Sequence, residues 1–229
     1  MEDIAPSLLE KIKNDFKKAY TNDSTIQNLL KNVDKSSNYS VANEFAIRVG
    51  ELFAQSFKRN LSSDVLPNGK MYYNIAKTIL NDTLRENHTI VTDFTKVIQL
   101  NINEKLKIGI NYINPLVDQE RIDGFINRIA NEDIFDEIAW ILDEPIVNYS
   151  QSVVDDVIKA NADFHSKAGL KPMIVRRMAG NCCDWCKQQA GTYIYPNVPR
   201  DVYRRHQRCR CTVEYISNGN VKALPGARK

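Results

Sequence analysis

The chain has no cysteine before residue 182 and only three histidines in its whole length. A disulfide framework spread across the chain is therefore excluded. It has no apolar run approaching the roughly twenty residues of a membrane span, so no membrane contact is expected. The first residues, MEDIAPSLLEKIKNDFKKAY, are amphipathic and lack an apolar core segment. They do not read as a secretory signal, and folding in a reducing cytoplasm is expected. Internal repeats and low-complexity blocks are absent. So are two catalytic metal motifs. There is no H-E-x-x-H, and His206 is followed by Gln207 and Arg208 rather than by the glutamate of a zinc deaminase.

What is present has ordinary globular composition. Hydrophobic residues make up 43% and charged residues 26%, enough for a real core. A length of 229 residues allows one large domain or two small ones. The net charge of +3 hides an asymmetry. After residue 170 there are twelve Lys/Arg against three Asp/Glu, and before it nineteen against twenty-five. A basic end on an acidic body suits a polyanion, or the two parts attract each other.

Hydrophobic spacing predicts a helical N-terminal region over residues 1–145. Leu8, Leu9, Ile12 and Phe16 share a stripe, as do Phe45, Val49, Leu52, Phe53 and Phe57 in a helix over 41–59. A short helix is expected near 25–34. Further helices are expected over 71–84, 90–113, 118–130 and 132–142, with breaks at Asn114-Pro115 and Glu144-Pro145. His88 should lie at a helix end, facing solvent or capping. A helix over 150–168 should start at a Ser150 or Ser152 cap and end at Gly169, with His165 as a capping residue. After Gly169 the texture changes to short β-like runs, 173–177, 192–195 and 212–216. The expected fold is a mainly α N-terminal region joined to a small α+β, zinc-stabilised C-terminal module over 146–216. Residues 217–229 are expected to form a loose tail.

All five cysteines lie between residues 182 and 211. They form Cys183-x2-Cys186, then nineteen residues, then His206-x2-Cys209-x-Cys211, with Cys182 beside the first pair. Two thiol-rich knuckles about twenty residues apart are the pattern of a four-coordinate structural zinc site. Cys183, Cys186 and Cys209 are the leading ligands, His206 and Cys211 compete for the fourth place, and Cys182 is the spare. Packed or free thiols and disulfides are the competing readings. Disulfides would leave one of five thiols over and would need an oxidising compartment.

This run resembles the Mu F-like minor head proteins of tailed bacteriophages. The likeness is carried by Cys183-Asp184-Trp185-Cys186, Gly191 and His206-Gln207-Arg208-Cys209-Arg210-Cys211, and by the lead-in from Ser150 to His165. It covers about residues 145–216. Many relatives have His-Pro before the last cysteines, where this chain has His206-Gln207. The resemblance implies a low-copy virion protein of the capsid interior, made in the host cytoplasm. Its partners would be the portal or the major capsid protein, and it would assist head assembly, DNA packaging or genome delivery. Arg176, Arg177, Arg200, Arg204, Arg205, Arg208 and Arg210 are the candidates for sequence-independent contact with packaged DNA, because the guanidinium fork suits phosphate. The alternative is a metal-dependent nuclease or toxin-like enzyme, whose base would have to be Asp184, Asp201 or Glu214.

Overall fold

A computed structural model describes residues 3–180 and 182–217. The expected loose tail lies almost wholly outside these residues. The described chain is mainly helical, with a small antiparallel sheet at its C-terminal end. No helix among these residues is long and apolar enough to cross a membrane.

Helix α1 (Ala5–Asn22) buries Leu8, Ile12 and Phe16, and Phe16 stacks on Phe53 of α3 (Tyr39–Asn60). Between them, α2 (Ser24–Asn32) starts on Asp23, whose carboxylate accepts from the Ile26 amide at 2.9 Å. Asn38 caps α3 in the same way. These helices follow the apolar spacing closely, because each carries one uninterrupted stripe to bury.

Helix α4 (Tyr73–Lys105) departs from that spacing. Two helices were expected with a break near His88, and one 33-residue helix is found. Many of its polar residues, which lower helix propensity, are buried and hydrogen-bonded, although Asn87 Oδ1 and His88 Nε2 are buried without a hydrogen-bond partner. Thr83, Thr92 and Thr95 bond back to carbonyls one turn earlier, and Asn87 donates to Ser150 Oγ on α7 at 2.7 Å. His88 is buried in mid-helix, where burial lowers its pKa. The helix stops at Lys105, short of the expected 113. From residue 106 to 118 the chain is irregular, and Asn161 of α7 pins it by bonding both the amide and the carbonyl of Ile113.

Helix α5 (Gln119–Ala130) buries Ile122, Ile126 and Ile129 as expected. The expected 132–142 helix is only a turn of α6 (Phe135–Ile138) followed by a 3-10 turn over Ala139–Leu142. Helix α7 (Glu144–Lys167) begins six residues before the expected start. Pro145 sits in its first turn, where a missing N–H costs nothing. Ser150 and Ser152 are interior residues that bond backward to Ile146 and Tyr149 carbonyls.

Helix α7 is the axis of the fold. It crosses α3 so closely that a Cβ on Gly50 would stand 2.7 Å from the Val147 Cα. Replacing Gly50 with alanine gains helix propensity of about 0.8–1.0 kcal/mol. Overpacking against backbone costs about 1–3 kcal/mol and should win. We expect Gly50→Ala to unfold at lower denaturant; an unchanged or higher midpoint would mean that the helices have room to separate.

The sheet has order β2-β1-β3, with β1 (Pro172–Arg177) pairing antiparallel to β2 (Gly191–Ile194) and β3 (Thr212–Ser217). Ile174, Tyr193, Val202, Val213 and Tyr215 join the helical core, which runs without interruption from Ala5 to Tyr215. His165 is a correction to the sequence reading. It is fully buried, and its Nδ1 meets Tyr215 Oη of β3 at 2.7 Å, so it ties helix to sheet instead of capping at the surface. Burial lowers its pKa.

Candidate metal centre

Cys186, Cys209 and Cys211 form their own buried cluster beside the main core, with Cys182 half-buried against it and Cys183 exposed. Cys183 is the cap residue of the short helix α8 (Asp184–Gln189), and Cys186 lies one turn along it. Together they form the first knuckle. The second follows a 3-10 turn over Arg200–Tyr203. There the Cys209 amide donates to the His206 carbonyl at 3.1 Å, closing a tight turn with Arg208 at φ 58°. Cys211 stands immediately before β3. Because β1 pairs with both β2 and β3, the sheet carries the two knuckles to the same end.

There the donors converge. His206 Nε2 is 2.9 Å from Cys186 Sγ and 3.4 Å from Cys183 Sγ, and Cys186 Sγ is 3.8 Å from Cys209 Sγ. Two triads result, Cys183–Cys186–His206 and Cys186–Cys209–Cys211, each with all donor atoms within 4.8 Å, and Cys186 belongs to both. Around one tetrahedral ion with metal–sulfur bonds of about 2.3 Å and metal–nitrogen bonds of about 2.0 Å, neighbouring donors stand about 3.5–3.8 Å apart. The 3.4 and 3.8 Å spacings and the soft donor set fit a bound metal ion, while the 2.9 Å pair is closer than two ligands of one ion stand. The five expected ligands thus fall in two triads joined at Cys186, and all five cysteines have free thiols rather than disulfides.

The histidine is oriented for the task. Its Nδ1 lies 2.7 Å from the Gln207 carbonyl, which can only accept, so the proton sits on Nδ1 and the Nε2 lone pair faces the sulfurs. Asn148 of α7 donates to the His206 carbonyl at 3.0 Å, and the Trp185 ring stands edge-on to the imidazole. As thiols, two of the three buried cysteines resist ionisation. Burial pushes Cys186 up, and hydrogen bonding with Cys211 together with burial pushes Cys209 up to about 12. Cys211 is lowered by its hydrogen bond with Cys209. Metal uptake would therefore release protons.

The arginines expected on phosphate divide into three groups. Two are corrections. Arg176 is 2% exposed, and the Arg205 side chain is equally buried in a bidentate ion pair with Asp155 of α7 at 2.6 and 2.7 Å. Neither guanidinium reaches solvent, because each is held by groups from elsewhere in the chain. Arg177, Arg204 and Arg210 are nearer the surface and paired with Glu214, Asp201 and Glu144. Only Arg200 and Arg208 of the seven are exposed without an ion pair among the described residues. The basic end and acidic body thus neutralise each other in part, through Asp155–Arg205 and Glu144–Arg210. Sequence reasoning missed Asp155 and Glu144. Their one signal was the excess acid of the body, which names no pair.

The fold and site define a helical protein closed at one end by a cysteine–histidine cluster able to hold a metal ion. Compared with known protein families, curated proteins and solved structures, the chain matches none.

Proposed function

We propose that this chain is a minor head protein of a tailed bacteriophage, with its C-terminal module closed by a structural zinc ion. The observation that carries the proposal is the gathering of Cys183, Cys186, His206, Cys209 and Cys211 into two triads that share Cys186, in the order and spacing by which the sequence resembles Mu F-like proteins. Zinc suits these donors because it accepts thiolate and imidazole in a tetrahedron and has no redox chemistry of its own. Its role is to close the chain between the knuckles. The helical body would then present its surface to the portal or capsid, where Trp140 and Leu116 are exposed apolar residues.

The enzymatic alternative is less well supported. Asp184 pairs with Lys187, Asp201 with Arg204 and Glu214 with Arg177. None of these three carboxylates stands among the metal donors as a free base. Mass spectrometry of purified DNA-filled heads is the direct test. The chain should be present at low copy; its absence from the particles would overturn the proposal.

The DNA-facing part is narrower than the sequence implied. With Arg200 and Arg208 the accessible arginines of the seven without an ion pair among the described residues, duplex binding should be weak, sequence-independent and lost as salt rises. Each neutralised phosphate contributes about 0.9 to the log–log salt slope, so a slope near 2 is expected. Arg200→Ala with Arg208→Ala should abolish the low-salt gel shift. No shift at low salt in the parent would remove DNA from the list of partners.

A further inference from the structure

We infer that Arg176 is the built-in counter-charge of the metal centre, an inference that rests on the metal reading above. A guanidinium buried to 2% exposure is costly unless an opposite charge faces it. Arg176 makes no ion pair with a carboxylate among the described residues, and Asp155, which feels its charge, is taken up by Arg205. One of its terminal nitrogens, Nη1, donates to the carbonyls of Val202 and Arg204 at 2.5 and 2.8 Å, with Asp201 O at 3.4 Å. The other, Nη2, points at Cys209 Sγ at 3.6 Å and Cys186 Sγ at 3.9 Å. The Trp185 ring covers the guanidinium, 5.3 Å from its centroid. Carbonyls satisfy N–H groups but do not cancel charge, and neutral thiols are weak acceptors.

Thiolates cancel it. A divalent ion held by three thiolates and a neutral imidazole is a net −1 centre, and one held by four thiolates is net −2. Either is a costly anion at a buried site, and Arg176 is the cation placed against it. Arg205, the other buried guanidinium beside the second knuckle, is already neutralised by Asp155. Arg176 is thus a positioning residue. It spans the 3-10 turn that leads into the second knuckle and touches one sulfur from each knuckle, so that charge neutrality and correct geometry arise together.

The test uses the full chain and cobalt(II) as the probe, with affinity measured by competition against a chromophoric chelator and the thiolate-to-cobalt charge-transfer band as the signature. Arg176→Met should weaken cobalt binding about 10- to 100-fold, the usual loss when an outer-shell partner of a metal ligand is removed. Arg176→Lys keeps the charge but loses the fork. It should retain affinity and band near those of the parent while melting at lower temperature. A residue that only braces the turn would make the lysine and methionine variants equally weak, or leave both at parental affinity; either result overturns the inference. If the methionine variant does not fold, Arg176→Gln, which removes the charge and keeps hydrogen-bond donors, takes its place: weakened affinity supports the counter-charge, and parental affinity refutes it. A parent that takes up no cobalt refutes the metal reading itself, a distinct result.

Discussion

Cys186→Ser is expected to abolish stoichiometric zinc binding while leaving the helical body folded. Cys186 is the one donor common to both triads, and it is buried. Serine offers a harder oxygen on a shorter bond, a poor replacement where thiolate softness supplies the affinity. Structural zinc contributes about 10–16 kcal/mol of apparent binding free energy in isolated finger peptides. Losing a central ligand should therefore melt the turn-rich segment between the knuckles. The main core does not depend on these sulfurs, since it is formed by α1 to α7 and the inner face of the sheet. Metal analysis should fall from one ion to near none, far-UV ellipticity should change little, and protease should cut between residues 182 and 211. Cys182→Ser, at the spare thiol, should do none of this. A Cys186→Ser protein that keeps its metal and its protease resistance would sink the assignment.

Asp155→Ala should be the most destabilising change outside the cysteines. Asp155 and Arg205 are both almost fully buried and share two hydrogen bonds. Arg205 also donates to the Cys211 carbonyl at 2.7 Å, so the pair joins α7 to the second knuckle. Burial raises the Asp155 carboxyl above its ordinary value, and the Arg205 charge opposes that rise. Removing one partner leaves a buried charge unmatched, at a cost of about 3–5 kcal/mol. For a chain of this size that corresponds to a fall of roughly 6–20 °C in melting temperature. Replacing both, as Asp155→Leu with Arg205→Met, should recover most of the loss, because a buried pair exchanged for apolar groups is often neutral. Calorimetry on the three variants checks this; a double variant as unstable as the single would mean that the pair does more than neutralise itself.

The contrast between α1 and α4 shows what sequence patterning can and cannot read. In α1 every buried residue is apolar and spaced by a turn, so one stripe announces one helix. In α4 the buried face includes Asn87, His88, Thr92, Thr95, Gln99 and Asn103. Read alone these look like a surface or a break. They are helical because α7 and α3 supply partners: Ser150 for Asn87, and Tyr39 for Gln99. The start of α7 was missed for a related reason. Glu144-Pro145 reads equally well as a stop or as a first turn, and only what packs on it distinguishes the two.

The sequence by itself determined the helical class, the position of the sheet and the set of candidate metal donors, because each depends on spacing along the chain: one turn, one alternation, one knuckle. The roles of the charges were decided by the tertiary structure. Arg176, Arg200 and Arg205 are the same residue type in the same basic stretch. One lies against sulfur, one is exposed, and one is locked to a carboxylate fifty positions upstream. A charge is settled by what faces it across space, and only the folded chain brings those groups into contact.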